Sequence, residues 1–189
     1  MKSRVAFFSA QLVNQSINSH AAIARVLDRY WYVMGDEVRN FETAFAAYCG
    51  VSHCIGVANG TDALELALRA VGVARGDSVV LAANAGYYGS AAVRLIGATP
   101  IYVDVDSLSL TLCPRSLAMA LVGRETKPRA IIATHLYGQL SEIESIAMLA
   151  RAHGVSLIED CAQSHGASRN AKRAGSFGDI GCFSFYPTK

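Results

Sequence analysis

Short apolar runs alternate with amphipathic helical stretches along most of this chain, and that alternation restricts the fold more than any other feature. A strand–helix repeat of this kind is typical of βα units, in which parallel strands form a sheet that is covered by helices on both faces. The runs predicted to be strands are 53–58, 78–83, 100–105, 130–136 and 155–160. The stretches predicted to be helices among them are 61–72, 90–96, the segment after Pro114, and 141–154. We therefore predict an α/β protein with a mostly parallel sheet.

The residues before the first predicted strand, at about 13–49, are predicted to be helical instead. The stretch 37–48 places large apolar side chains on one helical face, and these are Val38, Phe41, Phe45 and Tyr48. Gly50 follows this stretch and is suited to end a helix. The chain has no internal repeat and no linker-like segment, so nothing in the sequence indicates a domain boundary.

Composition and charge argue against several classes of protein. The formal net charge is +2 and Lys and Arg form no basic run, so nucleic acid is not an expected partner. The five cysteines are scattered and include no C-x-x-C pair, which argues against a disulfide framework or a zinc site, and no metal site is predicted. Polar residues interrupt every uncharged stretch, so neither a signal peptide nor a membrane span is predicted, and a cytoplasmic protein is expected.

In parallel sheets, ligands bind at the edge where the carboxyl ends of the strands lie. Applied to the predicted strands, this rule selects the segments 59–62, 84–88, 135–138, 160–163 and the residues that lead to Lys189. His135 and His165 lie in or near these segments and are candidates for lining a site, because polar residues in such loops are enriched in function.

The segment Asn59-Gly60-Thr61-Asp62 joins a predicted strand to a predicted helix. Glycine allows a sharp turn, and the unpaired N–H groups of a first helical turn, together with the helix dipole, favour a bound anion. The alternative is that Thr61 or Asp62 only caps the helix. Taken alone, the motif favours the cap.

The apolar run at 155–160 ends on two carboxylates, Glu159 and Asp160. A carboxylate at the end of a strand is suited to bind a cationic ring nitrogen and to keep it protonated. The alternative is that Asp160 caps the turn that follows and that Glu159 is solvated. Without other motifs, this alternative is favoured.

The last segment consists of a turn with several glycines, an alternating strand and Lys189. A lysine amine condenses with carbonyl groups when burial or a neighbouring charge deprotonates it. A terminal lysine taken alone is almost always exposed and inert.

Three segments in this order resemble the signature segments of the DegT/DnrJ/StrS aminotransferase family: NGTDAL at 59–64, VSLIEDCAQSHGA at 155–167 and GSFGDIGCFSFYPTK at 175–189. YVDVD at 102–106 and THLYGQ at 134–139 are similar to further segments of the family. The resemblance extends from about Arg29 to Lys189, and its specificity comes from ordered motifs rather than from any single one. This family comprises fold-type-I pyridoxal-phosphate enzymes that act on keto sugars carried by nucleotides.

The resemblance implies the large domain of a fold-type-I pyridoxal-phosphate-dependent transferase, with helices on both faces of a mostly parallel sheet and incomplete at its C-terminus. Residues 1–189 would form the N-terminal part of this cofactor-binding domain, with helices at about 13–49 and βα units at about 52–189. The small C-terminal domain of the family would be absent.

The resemblance also implies roles for single residues. Lys189 matches the lysine that holds pyridoxal 5'-phosphate covalently, and Asp160 matches the aspartate that bonds the pyridine nitrogen, so these two are the expected catalytic residues. A ring usually stacks on the cofactor from the loop at 84–88; this loop departs from the commoner proline-containing form, and Tyr88 is preferred to Tyr87. The residues expected to bind the cofactor are Gly60, Thr61, Asp62, Tyr88, Asp160, Gln163, Ser184 and Lys189.

By the same resemblance, the expected reaction transfers an amino group, with glutamate as donor, to a nucleotide-linked keto-deoxy sugar by a ping-pong Schiff-base mechanism. A homodimer is expected at full length. One alternative is a truncated, non-catalytic remnant of such an enzyme. Another is a sugar dehydratase of the same family, which is disfavoured because those relatives carry histidine at the position of Lys189. A dehydrogenase-type domain is disfavoured because no G-x-G-x-x-G follows the first predicted strand.

Overall fold

The computed structural model describes residues 8–122 and 127–189. Its first part is helical, with α1 at Ala10–Asn14, α2 at Ser19–Arg29 and α3 at Asp36–Cys49. Polar caps begin the first two helices, because the side chain of Ser9 accepts from the N–H of Leu12 and that of Asn18 accepts from the N–H of Ala21. α3 ends at Gly50, which has a left-handed φ of 76°. None of the helices in the described ranges is long and apolar enough to cross a membrane.

Beyond α3 the chain alternates between helices and strands. These elements are α4 (Gly60–Ala70), β1 (Ser78–Ala82), α5 (Tyr87–Leu95), β2 (Thr99–Val103), α6 (Pro114–Leu121), β3 (Ala130–Thr134), α7 (Ile143–His153), β4 (Ser156–Asp160), β5 (Ser168–Arg169), β6 (Lys172–Arg173) and β7 (Ile180–Cys182). A five-stranded sheet has the order β2-β1-β3-β4-β7, and all of its pairs are parallel. β5 and β6 form a separate antiparallel hairpin. The structure thus confirms the predicted strands at 78–83, 100–105, 130–136 and 155–160.

Helices cover both faces of the sheet. Successive residues of a strand point to opposite faces, so neighbouring side chains pack against different helices. In β3, Ile131 packs with residues of α6 and α7, whereas Ile132 packs with residues of α4 and α5. Both side chains are fully buried, and burial of an aliphatic side chain of this size contributes roughly 2 kcal/mol. The predicted α/β architecture, with a parallel sheet covered on both faces, is confirmed.

The predicted strand at 53–58 is wrong, because this segment is an irregular and mostly exposed connection between α3 and α4. Ile55 is 78% exposed, and the N–H of Gly56 donates to Oε1 of Glu42 (2.7 Å) instead of to a neighbouring strand. Within the described residues, no strand lies beside this segment to form a ladder with it. Apolar composition alone does not make a strand, since a strand is stabilised by its cross-strand neighbours.

The parallel register brings the carboxyl ends of neighbouring strands to one edge of the sheet. Thr134, at the end of β3, pairs with Asp160, at the end of β4. Asp160 pairs in turn with Cys182, at the end of β7. The segments that follow these strands therefore begin side by side, as the sequence-based rule for ligand sites requires.

Candidate active site

The turn after β4 carries two of the predicted site residues. Asp160 is half-buried, and its Oδ1 accepts a hydrogen bond from the N–H of Ala162 (3.1 Å), so the carboxylate caps this turn. Gln163 lies in the same turn, and its Oε1 accepts from the N–H of Tyr137 (3.3 Å). This bond joins the segment after β4 to the segment after β3. The sequence left two interpretations of Asp160, a cap of the following turn or a partner for a ring nitrogen. The carboxylate does cap the turn, and it also lies at the edge of the sheet where ligands are expected.

The N-terminus of α4 is capped by Asn59 rather than by Thr61 or Asp62. Oδ1 of Asn59 accepts from the N–H groups of Thr61 (2.9 Å) and Asp62 (3.0 Å). Its Nδ2 also donates to Oδ2 of Asp62 (3.0 Å). The two amides that were predicted to bind a phosphate are thus already paired with a side-chain oxygen. An anion at this helix end has to share them with Asn59 or displace it.

Gly60 and Ser184 bring α4 and the segment after β7 into contact. A Cβ on Gly60 would lie 3.1 Å from Cβ of Ser184 and 3.4 Å from the carbonyl oxygen of Phe183. Glycine is therefore the residue that allows this approach. The contact puts the Ser184 side chain next to the first turn of α4, so two segments that carry predicted cofactor-binding residues meet here.

Aromatic rings hold the segment after β7 against α3. The ring of Phe45 meets the rings of Phe183 and Phe185 edge-on, with centroids 4.9 Å and 5.1 Å apart. Phe41 meets Phe185 in the same way at 5.1 Å. Because side chains alternate along an extended segment, Ser184 points to the opposite side from Phe183 and Phe185, toward α4.

Lys189 is exposed, and its backbone N–H donates to the carbonyl oxygen of Tyr186 (2.8 Å). Burial raises the pKa of Asp160, and the positive charge of Lys189 is among the smaller effects that lower it. Burial lowers the pKa of His165, and the charge of Lys189 lowers it further. The charge of Lys189 therefore acts on both Asp160 and His165 across the carboxyl edge of the sheet.

The two tyrosines of the stacking prediction begin α5. Tyr87 and Tyr88 are both exposed, and their ring centroids are 5.1 Å apart with the planes tilted by 33°. Nδ2 of Asn84 donates to the carbonyl oxygen of Leu110 (2.8 Å), which fixes the loop before them. Tyr88 remains the predicted stacking residue.

The alternative that Glu159 is solvated is wrong, because its side chain is fully buried. It is hydrogen-bonded to His135, which is also fully buried. A strand that is covered on both faces buries both rows of its side chains, and this was the signal in the sequence. A carboxylate at such a position requires internal donors.

The structure thus assembles the segments that resemble aminotransferase signatures at one edge of a parallel sheet. A sequence model of the DegT/DnrJ/EryC1/StrS aminotransferase family matches residues 14–189. The chain belongs to this family. The family resemblance inferred from the ordered motifs is confirmed.

Known members of the DegT/DnrJ/EryC1/StrS family include close relatives of the chain. It is 45% identical over 164 residues to the dTDP-3-amino-3,6-dideoxy-alpha-D-galactopyranose transaminase of Aneurinibacillus thermoaerophilus, with 87% of this chain and 44% of the relative covered. S. venezuelae DesV, solved in complex with a ketimine intermediate, has a TM-score of 0.91 at 38% identity, covering 98% of this chain and 50% of that one. The ntda protein of Bacillus subtilis, solved with bound cofactor PMP, has a TM-score of 0.84 at 27% identity, covering 99% and 42%. The chain spans about half the length of the curated relatives it matches.

The residues of this DegT/DnrJ/EryC1/StrS family member fit a phosphorylated pyridine cofactor in two respects. The pKa of the Asp160 carboxylate is raised by burial, so a cationic ring nitrogen would be a stabilising partner. The contact between Gly60 and Ser184 brings a hydroxyl group to the start of a helix, where a phosphate is favoured. Oδ1 of Asn59 already accepts from the backbone N–H groups of Thr61 and Asp62. A phosphate at these two amides would have to share them with Asn59 or displace its side chain.

Proposed function

We propose that this chain forms the cofactor-binding part of a pyridoxal-phosphate-dependent aminotransferase that acts on a nucleotide-linked keto-deoxy sugar. The observation that carries the proposal is the contact of Ser184 with the N-terminus of α4, at the edge of the sheet where the charge of Lys189 acts on Asp160. Membership of an aminotransferase family supports the reaction class. The relative from Aneurinibacillus is a transaminase of a dTDP-linked amino sugar, which supports the substrate class.

Separate groups of residues hold the two ends of the cofactor in this proposal. Lys189 would hold the cofactor through Nζ, and Asp160 would pair with the ring nitrogen. Ser184 donates its hydroxyl to the phosphate, together with the turn at Gly60-Thr61-Asp62. Gln163 would hold the ring oxygen, and Tyr88 would contact the ring face. The contacts between these elements support this division, because the α4 turn meets Ser184 and the β4 turn carries both Asp160 and Gln163.

When bound, pyridoxal phosphate supplies an electron sink for the electron pair that remains on a carbon after its proton is removed. Asp160 keeps the ring nitrogen protonated, because a carboxylate next to a ring nitrogen favours its cationic form. Lys189 takes and returns the migrating proton at Nζ, a role that requires the uncharged amine. The carboxylate and the amine thus have separate tasks, one at the ring and one at the reacting carbon.

The remaining parts of the proposal concern the complete enzyme. Glutamate is the proposed amino donor, in a ping-pong reaction in which the donor and the keto sugar would use the same site in turn. A homodimer in the cytoplasm is the proposed working state. Residues 1–189 correspond in this proposal to the N-terminal part of the large domain, which the share of the relatives covered by the match supports.

The proposal is tested by trapping the covalent bond in the 189-residue chain. The chain is incubated with pyridoxal phosphate, reduced with borohydride, digested and mapped by mass spectrometry. We expect a phosphopyridoxyl group on Lys189, because the charge of this lysine acts on Asp160, the proposed partner of the ring nitrogen. Lys172→Ala is the matched control, since Lys172 lies in the exposed β5–β6 hairpin and its loss leaves the labelling unchanged.

Selective labelling of Lys189 that is lost in Lys189→Ala would support the proposal and lead to an assay with a nucleotide-linked keto sugar and glutamate. Labelling that is spread over Lys127, Lys172 and Lys189 would mean that the chain builds no cofactor site. The same conclusion would follow from no labelling at all.

A further inference from the structure

Glu159 is a fully buried carboxylate that the proposed reaction does not use. Its Oε1 accepts from the N–H groups of Phe177 and Gly178 (2.7 Å each), and its Oε2 accepts from the N–H of Gly175 (2.9 Å). Nε2 of His135 lies 3.0 Å from the same Oε2. Burial raises the pKa of Glu159, but the hydrogen bonds from His135 and the backbone amides outweigh it, and the pKa is lowered.

His135 donates to Glu159, because its other ring nitrogen is already an acceptor. Nδ1 of His135 receives the backbone N–H of Ser141 (3.1 Å), and the Ser141 hydroxyl lies 3.2 Å from the same atom. A backbone N–H is always a donor, so the proton of the neutral ring is on Nε2, facing Glu159. All four hydrogen bonds to the Glu159 carboxylate therefore come from N–H donors, three on the backbone and one on His135.

A metal site is the rival explanation for this cluster. One possible ligand atom each from His135, Glu159 and Cys161 lies within 4.8 Å of the other two. However, both ring nitrogens of His135 and both oxygens of Glu159 are engaged in hydrogen bonds. Burial raises the pKa of the Cys161 thiol well above its usual value, whereas a metal binds the thiolate. The chemistry of the cluster therefore favours a tether within the protein.

The turn held by Glu159, residues 175–178, is in tight contact with the residues around it. A Cβ on Gly178 would lie 2.6 Å from the carbonyl oxygen of Leu157, and a Cβ on Gly175 would lie 2.7 Å from the ring of Phe183. Gly175 also has a left-handed φ of 85°. A displacement of this turn is thus transmitted to Phe183, the residue that precedes Ser184.

We propose that Glu159 is a positioning residue that fixes Ser184 and Lys189 relative to Asp160 by holding the 175–178 turn, an inference that rests on the proposed function. Glu159 and Asp160 are consecutive in β4, so their side chains leave the strand on opposite sides. Asp160 faces the turn at the ligand edge, while Glu159 holds the turn that leads into β7. One strand end therefore sets both halves of the site.

Glu159→Gln tests the inference, because the amide has almost the same shape but offers one acceptor oxygen in place of two. Asp179→Ala is the matched control. Oδ2 of Asp179 accepts from the N–H of Leu157 (2.8 Å), so this variant also removes a carboxylate tether to β4, but near the start of the strand. Two quantities are measured on the 189-residue chain: hydrogen exchange of the β7 amides, and borohydride-trapped labelling of Lys189 by pyridoxal phosphate.

We expect Glu159→Gln to accelerate exchange at Ile180–Cys182 about tenfold relative to Asp179→Ala, because two buried donors lose their acceptor. We also expect labelling of Lys189 to fall about fivefold or more in Glu159→Gln and to remain at the wild-type level in Asp179→Ala. Equal labelling in the two variants would overturn the inference.

If Lys189 of the wild-type chain is not labelled, the proposed function is wrong. The role of Glu159 in holding the 175–178 turn is then tested only by hydrogen exchange of the β7 amides. Equal exchange in the two variants would overturn that role, and faster exchange in Glu159→Gln would support it. Should Glu159→Gln not fold, His135→Ala takes its place, because it removes one donor and leaves the three amide bonds to Glu159. The same order of effects is then expected.

Discussion

Gly60 and Ser184 are so close that a Cβ added to Gly60 would lie 3.1 Å from Cβ of Ser184. Gly60 begins α4, and Ser184 follows β7, so this contact joins the helix that precedes the first strand of the sheet to the segment after its last described strand. At this distance a neighbouring group has to move by a few tenths of an ångström to admit a side chain. The two segments proposed to bind phosphate are therefore coupled by a steric contact.

Gly60→Ala should destabilise the chain by about 1 kcal/mol, because the overpacking cost exceeds the gain in helix propensity. In a Ser184→Gly background, which removes the Cβ that is met, the same substitution should be neutral or stabilising. Urea unfolding of the two single variants and the double variant measures this coupling. An equal effect of Gly60→Ala in both backgrounds would show that the contact does not limit this position.

Asn59→Ala should cost about 1 kcal/mol of unfolding free energy, as the loss of a helix N-cap generally does. It should also increase the stabilisation that pyridoxal phosphate gives, since the phosphate no longer competes for the amides of Thr61 and Asp62. Thermal unfolding with and without the cofactor measures both effects. Pyridoxal without its phosphate is the control, for which wild type and variant should respond alike.

Asp160→Asn should raise the stability of the cofactor-free chain at pH 7 while it weakens binding of pyridoxal phosphate. Burial raises the folded-state pKa of Asp160, so its charged form destabilises the fold above that pKa and costs nothing below the unfolded value of about 4. The stability gain should therefore vanish as the pH falls below about 4. Full transamination by the complete enzyme with this substitution, at normal cofactor affinity, would contradict the proposed role.

Asp106→Asn is the matched control for this pH dependence and should have the opposite sign. Backbone hydrogen bonds from Ser109 and then Leu108 lower the pKa of Asp106. Its charge therefore stabilises the fold above the unfolded pKa, and that contribution is lost as the pH falls through the folded pKa. Urea unfolding between pH 3 and pH 7 compares the two variants.

Cys113 should be the first thiol to react with a disulfide reagent in the native chain at pH 8. Hydrogen bonding to the backbone of Ser116 lowers the pKa of Cys113, whereas burial raises the pKa of Cys182 to about 12. Peptide mapping after timed quenching measures the order of reaction. Cys113→Ser should remove the fast phase, and all five cysteines should react alike in guanidinium.

The sequence pattern predicted the strands that have partners in the sheet. β3 and β4 are apolar runs, and they are strands because each has a neighbour on both sides. The run at 53–58 is also mostly apolar, but the sequence cannot reveal whether a partner strand lies beside it. Strand formation depends on contacts that are distant along the chain, and this is the information that a local pattern lacks.

The sequence provided candidate residues for the site but not the hydrogen bonds that surround them. The ordered motifs indicated Asp160, Ser184 and Lys189, and the rule for parallel sheets gave the edge at which the segments that follow β4 and β7 begin. The cap by Asn59 and the burial of Glu159 were missed, since both depend on which donors the fold brings to an oxygen. Hydrogen-bond partners of this kind follow from tertiary structure rather than from spacing.

Because α4 packs against β7, it cannot cover its apolar face completely until the ribosome has made residues far along the chain. Gly60 and Ile180 are 120 positions apart. At usual rates of translation, that separation corresponds to roughly 6 to 24 s. During this interval Leu64 and Leu68, which share a cluster with Cys182 of β7, are available to chaperones or to another nascent chain.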